Sequence, residues 1–112
     1  APERFYHGFV LGLMVEQREN YVIRSNRESG FGRYDIMLIP RPQRKGSLPA
    51  VVLEFKVYNE KKEKNLEDTV KAALQQIEEK QYDVELIGLG FEKEEIHHYG
   101  FAFKGKEVLI GE

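Results

Sequence analysis

Three side chains near the middle of the chain have types and a spacing that suit chemistry. Asp35 lies near the start of residues 32–39, and Glu54 and Lys56 lie two apart within residues 50–56. Both segments have the character of β-strands, in which successive side chains point to opposite faces. Glu54 and Lys56 therefore project from one face, and pairing of the two strands would bring Asp35 beside them. We expect two carboxylates and an ammonium group to form one site.

A site of this composition suits a divalent metal ion and the hydrolysis of a phosphodiester. Mg²⁺ prefers octahedral oxygen ligands and keeps several waters, so the carboxylates of Asp35 and Glu54 are adequate ligands, with Mn²⁺ as a substitute metal. The ion would lower the pKa of a bound water and polarise a phosphoryl oxygen. Lys56 would orient the attacking water or stabilise developing charge. Two clustered carboxylates repel each other, and Lys56 or the metal is expected to offset this repulsion.

Each of these residues also has an ordinary structural interpretation. Glu54 and Lys56 can form an exposed pair on a strand, and Asp35 can be a solvated acid near the turn at residues 29–32. If the acids are structural, replacing Asp35 should markedly lower the thermal stability. In a metal site tested without metal, the same change should be neutral or slightly stabilising, because repulsion is relieved.

The composition is that of one globular domain spanning residues 1–112. Of its residues, 41% are hydrophobic and 32% charged, and cysteine is absent, which excludes disulfides and thiolate metal sites. No apolar run approaches the ~20 residues of a membrane span, and no segment resembles a signal peptide. We therefore expect a cytoplasmic protein without a membrane partner. The net charge of −2 argues against a generic polyanion binder, which is usually strongly basic.

Hydrophobic periodicity predicts the elements that must position the three residues. Apolar stripes predict helices over residues 3–18 and 65–80, with Asn65 as a helix cap. Alternation predicts strands over residues 21–25, 33–39, 50–58, 96–103 and 107–110, whereas residues 82–90 suit either a helix end or a turn. The predicted fold class is α/β, in the form of an α+β mixed sheet. Because a helix pattern begins at once after Pro2, we also expect a fragment of a longer protein.

Further polar residues are weaker candidates for the site. Glu28 precedes a glycine-rich turn, Gln76 lies beside an apolar stripe, and Glu3 and His7 share one face of the first helix. Each of them is also explained as a surface or packing residue. Basic side chains are candidates for contacts with nucleic-acid phosphates, which position a backbone without reading its sequence. These basic candidates are Arg33, Arg41, Arg44 and Lys45.

Taken together, these features resemble the PD-(D/E)XK nuclease superfamily. Asp35 matches its first acid, on the second strand, and residues 54–56 match its acid-x-lysine motif on the third. The closer resemblance is to the C-terminal nuclease-like domain of bacterial AAA-ATPase-like proteins. It covers nearly the whole chain in order, and it is carried by residues 5–9, 25–30, 32–36, 54–56, 76–77 and 99–103.

The resemblance implies a restriction-endonuclease-like αβββαβ core with a C-terminal hairpin strand. It also implies metal ligation by Asp35, Glu54 and the Phe55 backbone carbonyl, with DNA as the substrate and an N-terminal ATPase-like domain in the full protein. Cutting both strands of a duplex usually calls for two active sites, which makes a homodimer an open alternative.

The sequence departs from the superfamily pattern in two places. Tyr34 replaces the proline that gives the superfamily its name. Gln76 matches the glutamine of a glutamine–tyrosine pair found in helicase-associated relatives, but the residue four later is Lys80. Tyr82 follows six residues after Gln76, which on a continuous helix is a different face.

Two hypotheses of different classes follow. The first is a Mg²⁺-dependent nuclease domain, for which DNA is favoured over RNA as the substrate. The second is a catalytically silent module with a nuclease fold, which binds or regulates and is attached to an AAA-type ATPase. A pure interaction domain with structural acids is a third and weaker alternative. Metal binding and metal-dependent cleavage separate the first hypothesis from the others.

Overall fold

A five-stranded sheet with helices on both faces forms the fold in the computed structural model, which describes residues 2–27 and 33–112. The side chains of residues 2–7, 26, 27 and 33 are not described. The helices are α1 (Pro2–Gln17), α2 (Leu66–Lys80) and α3 (Tyr82–Gly88). The strands are β1 (Tyr21–Arg27), β2 (Arg33–Pro40), β3 (Ala50–Val57), β4 (Ile96–Lys104) and β5 (Glu107–Gly111).

The strands follow one another across the sheet in chain order, β1-β2-β3-β4-β5. Neighbouring strands are antiparallel except β3 and β4, which are parallel and are joined by the crossover that contains α2 and α3. A parallel pair needs such a crossover because the chain must return to the starting edge. The predicted mixed sheet and the β4–β5 hairpin are therefore confirmed, and the ambiguous residues 82–90 contain helix α3.

Both faces of β3 are buried, as its composition predicts. Phe55 and Leu53 belong to the hydrophobic core on the face that α1 covers, where the Phe9 ring lies 5.5 Å from that of Phe103. Val52 belongs to a second core that includes Ile77 of α2. Asp35 of β2 and Glu54 of β3 alternate with the core residues that face α1, so their side chains face the α2 and α3 side of the sheet.

The break between α2 and α3 determines which side chains of these two helices contact the sheet. Asn65 caps α2, since its side chain accepts a hydrogen bond from the Asp68 N–H at 2.9 Å. The helix ends at Gln81, whose φ of 55° and ψ of 42° are left-handed. Such a backbone is disfavoured for a residue with a side chain, and it turns the chain sharply into α3. Among the described helices, none is long and apolar enough to cross a membrane.

Candidate metal centre

Asp35 and Glu54 lie directly opposite each other in the antiparallel β2–β3 pair. Opposed residues in such a pair have Cβ atoms about 4.5–5.5 Å apart, so the two carboxyl groups share one small region. Both are buried, with 4% of Asp35 and none of Glu54 exposed to solvent. The predicted pairing of the two segments is confirmed, while the interpretation of Asp35 as a solvated acid is wrong.

Two residues from the crossover contact Asp35. Lys80, at the end of α2, places Nζ 2.7 Å from Asp35 Oδ2. Tyr82, the first residue of α3, makes a side-chain hydrogen bond to Asp35. Burial raises the pKa of the Tyr82 phenol, and the hydrogen bond to Asp35 and the charges of Asp35 and Glu54 raise it further. The phenol therefore stays protonated and acts as a hydrogen-bond donor to the carboxylate.

Lys56 is bonded to a third acid, Glu63, in the connector between β3 and α2. Lys56 Nζ lies 2.6 Å from Glu63 Oε2, and both side chains are largely buried. The other oxygen, Oε1, accepts hydrogen bonds from the Asn59 N–H at 2.8 Å and from Thr69 Oγ1 at 2.9 Å. Burial alone would raise the pKa of Glu63, but the hydrogen bonds from Lys56, Asn59 and Thr69 outweigh it and lower that pKa. The Glu63 carboxylate thus fixes the position of the Lys56 ammonium.

Sequence reasoning missed Lys80, Tyr82 and Glu63. The ammonium group of Lys80 forms an ion pair with Asp35, in addition to the compensation of the carboxylates that is expected from Lys56 or the metal. Gln76 and Lys80 are four residues apart, which indicates a shared helix face. This spacing was the sequence signal that could have placed Lys80 near the site. Tyr82 belongs to α3 and not to α2, so its spacing of six from Gln76 along one helix does not describe its position; the turn at Gln81 brings it to Asp35. The charged segment around Glu63 gives no periodic signal.

The weaker candidates are dispersed over the fold. Gln76 lies one turn before Lys80 on α2 and is partly exposed. Glu28 lies outside the described residues. Glu3 and His7 belong to α1, which packs through Phe9 on the sheet face opposite the carboxylates, but their side chains are not described. Arg33 lies opposite Lys56 in the strand register, and its side chain is likewise not described.

The basic loop between β2 and β3 lies at the far end of the strands from the carboxylates. The strand from Asp35 to Pro40 covers about 17 Å. Within the loop, the Arg41 guanidinium donates to the Arg18 carbonyl at 2.8 Å, and Arg44 Nε donates to Asn20 Oδ1 at 3.1 Å. Lys45 Nζ lies 5.2 Å from the centre of the Phe91 ring. These basic side chains therefore contact neighbouring segments of the fold and do not lie near Asp35 and Glu54.

A cavity of about 350 Å³ opens beside Asp35, between α3 and the strands β1 and β2. It connects the buried carboxylate with the surface. Residues that line it include Arg24, Ser25, Asp35, Met37, Tyr82 and Glu85.

The donor set suits Mg²⁺ or Mn²⁺ bound with water. Within the part of the chain that the structure describes, no group of three or more His, Asp or Glu side chains could hold a metal ion. Mg²⁺ is usually bound through one or two carboxylates and keeps several waters, so it needs no larger protein cage. Two opposed carboxylates on rigid strands meet that requirement. The Phe55 residue lies between Tyr34 on β2 and Phe101 on β4, and ligation by its carbonyl stays a prediction.

The strand order and the opposed acids define a restriction-endonuclease-like α/β domain. The chain belongs to the PD-(D/E)XK nuclease superfamily, whose family model matches residues 1–112. Nothing among curated proteins or solved structures matches the chain. Membership makes this a nuclease-type domain, in a superfamily whose nucleases generally use divalent metals, and it implies binding of nucleic acid.

Proposed function

We propose that this domain hydrolyses phosphodiester bonds of DNA with Mg²⁺ held between Asp35 and Glu54. The observation that carries the proposal is the direct opposition of these two buried carboxylates in the β2–β3 register. Burial of two acids side by side costs free energy unless a cation compensates them, which is a reason to expect a functional role.

Each residue of the site has a defined role in this mechanism. When bound, the metal supplies a water of lowered pKa and positive charge for the phosphoryl oxygen. Asp35 and Glu54 hold the ion, with the Phe55 carbonyl as the third ligand that the superfamily implies. Lys56, fixed by Glu63 at 2.6 Å, orients the attacking water or stabilises charge on the phosphate. The phenol of Tyr82 keeps the Asp35 carboxylate in place through its hydrogen bond.

Cleavage assays on single-stranded and duplex DNA with Mg²⁺ or Mn²⁺ test the proposal. We expect Asp35→Asn, Glu54→Gln and Lys56→Met each to lower the rate roughly 10²–10³-fold, because each removes several kcal/mol of transition-state stabilisation. Lys62→Met is the matched control, since Lys62 is exposed in the same connector as Glu63. Circular dichroism shows whether each variant folds. Full activity in all three folded variants would contradict the mechanism.

The second candidate function is a catalytically silent nuclease-fold module that binds or regulates. Lys80 and Lys56, which are both largely buried, already have carboxylate partners in Asp35 and Glu63, and this internal neutralisation of charge favours the silent module. Calorimetric titration separates the two candidates. Binding of Mn²⁺ that Glu54→Gln abolishes supports the nuclease, whereas a folded protein that binds neither Mg²⁺ nor Mn²⁺ at millimolar concentration supports the silent module.

For the full protein we propose an AAA-type ATPase domain preceding this domain, which would itself be one part of a longer cytoplasmic chain. The resemblance of residues 54–56 and their flanking segments to ATPase-associated nuclease domains supports this. Cutting of both strands of a duplex would require a homodimer or two successive events. Sedimentation of the domain with and without a DNA duplex tests the dimer.

A further inference from the structure

Arg24 lies on the same sheet face as the carboxylates, one strand further toward the edge. It is opposite Met37 in the β1–β2 register, and Met37 is two residues from Asp35. Arg24 and Asp35 are therefore diagonal neighbours on one face, about 7–8 Å apart. Both line the cavity beside Asp35, and among the described side chains that line it Arg24 carries the positive charge.

The ion-pair partner of Arg24 is an acid on α3. Glu85 forms an ion pair with the Arg24 guanidinium, which also lies 3.5 Å from Met37 Sδ. Glu85 follows Tyr82 by three residues, so both side chains are on the same helix face. Two contacts therefore connect α3 to the sheet across the cavity, Tyr82 to Asp35 on the buried side and Glu85 to Arg24 on the solvent side.

The two ion pairs of this face differ in exposure. The side chains of Arg24 and Glu85 are 49% and 46% exposed, whereas those of Lys80 and Asp35 are 19% and 6% exposed. Water and salt screen an exposed pair, so a competing anion can replace Glu85 at low cost. A phosphate is a stronger partner for arginine, because the planar guanidinium binds two phosphate oxygens at once.

We propose that the cavity beside Asp35 binds a phosphate group of the nucleic-acid strand next to the scissile one. In it, Arg24 is the phosphate-binding residue and Glu85 is the internal anion that the phosphate displaces. The inference rests on the proposed function, because a nucleic-acid strand is the ligand. The cavity of about 350 Å³ is within the usual range for small-ligand sites of roughly 300–1,000 Å³.

Substitutions at the two residues should change binding in opposite directions. The probe is a short fluorescein-labelled single-stranded deoxyoligonucleotide, titrated at low salt by fluorescence anisotropy in EDTA and again with Ca²⁺. We expect Arg24→Gln to weaken binding roughly tenfold and Glu85→Gln to tighten it severalfold. The double variant should bind as weakly as Arg24→Gln, because without the arginine there is no guanidinium for Glu85 to occupy.

The salt dependence identifies the contact as one to phosphate. Loss of one phosphate contact should make the slope of log K against log salt shallower by about 0.7 for a single strand. The matched controls are Arg18→Gln and Glu94→Gln, which make the same charge changes at exposed residues outside this cavity. We expect both controls to keep the affinity and slope of the unaltered protein.

A purely structural role for the ion pair gives a different result. Arg24→Gln and Glu85→Gln would then lower the melting temperature together and shift binding in the same direction or not at all. That outcome, or the absence of oligonucleotide binding under both conditions, would overturn the proposal. Cleavage assays of the Asp35 and Glu54 variants are independent of it. If the protein cleaves DNA in a metal-dependent way but the Arg24 and Glu85 variants bind normally, this inference is refuted and the nuclease proposal is not. If the two variants change binding in opposite directions but no cleavage occurs, the phosphate site is supported in a catalytically silent module.

Discussion

Asp35 is a ligand candidate whose charge is already compensated within the protein. Its carboxylate lies beside that of Glu54 on the neighbouring strand, and Lys80 supplies an ammonium group 2.7 Å away. A metal ion placed between the two acids therefore competes with Lys80 for Asp35. The expectation that replacing Asp35 in the absence of metal is neutral or slightly stabilising stays a prediction. The ion pair with Lys80 argues for a loss of stability instead, because the change would remove this partner of Lys80.

Lys80→Met should destabilise the metal-free protein and increase its response to metal. Removing one partner of a largely buried ion pair leaves an uncompensated charge, and we expect a loss of about 3 kcal/mol in the free energy of unfolding. Urea denaturation in EDTA measures this loss, and repetition with Mn²⁺ should recover more stability in the variant than in the unaltered protein. Lys71→Met on the exposed face of α2 is the control. Equal metal responses in variant and unaltered protein would exclude competition by Lys80.

Glu63 should make the stability sensitive to acid. Its pKa is lower in the folded protein than its ordinary value of 4.5, so its contribution is complete above that value and is lost as pH falls through the folded pKa. Glu63→Gln removes the carboxylate. We therefore expect the stability difference between the unaltered protein and this variant to be largest near neutral pH and to shrink as the pH falls below about 4.5. Thermal melts across this range measure the difference, and a constant difference would contradict the prediction.

At the scale of elements, the junction between α2 and α3 controls the composition of the site. The left-handed Gln81 ends one helix and lets the next begin at once, so that Lys80 and Tyr82 both reach Asp35. A left-handed backbone costs roughly 1–2 kcal/mol for a residue with a side chain. This strain is located beside the candidate site and not in the sheet.

Gln81→Gly should stabilise the domain by up to about 1 kcal/mol, because glycine adopts positive φ without a steric penalty. The same substitution at Gln75, in the interior of α2, should cost about 1 kcal/mol. Thermal denaturation of the two variants provides a comparison with opposite expected signs. If Gln81→Gly destabilises as much as Gln75→Gly, the junction carries no strain.

The strands and long helices were predictable from sequence because their periodicity is local. The alternation in β3 and the apolar stripe of α2 give correct elements, and the opposition of Asp35 and Glu54 follows once β2 and β3 pair. The α2–α3 junction was not predictable, since it occurs at a glutamine and not at the usual glycine. Lys80, Tyr82 and Glu63 depend on how the crossover packs on the sheet, and no local pattern specifies that packing.

On the scale of the whole molecule, the positions of the charged side chains along the strands are more informative than the net charge. The net charge is −2, yet Arg24, Lys56 and Lys80 belong to the sheet face bearing Asp35 and Glu54 or to the elements that cover it. The basic loop containing Arg41 and Arg44 lies at the other end of β2. Net charge alone is thus a poor guide to where a phosphodiester would bind on this domain.

The sheet topology has a consequence for the order of folding. Asp35 and Glu54 meet through an antiparallel pair joined by a short loop and are 19 residues apart in sequence, whereas Lys80 lies 45 residues from Asp35, in the crossover that leads to the parallel strand β4. Contacts between residues distant in sequence form later, because loop closure costs more entropy. Lys80→Met should therefore accelerate unfolding and leave the refolding rate nearly unchanged in stopped-flow measurements in EDTA. A variant that refolds more slowly in proportion to its lost stability would show that the ammonium group joins the two acids before the rate-limiting step.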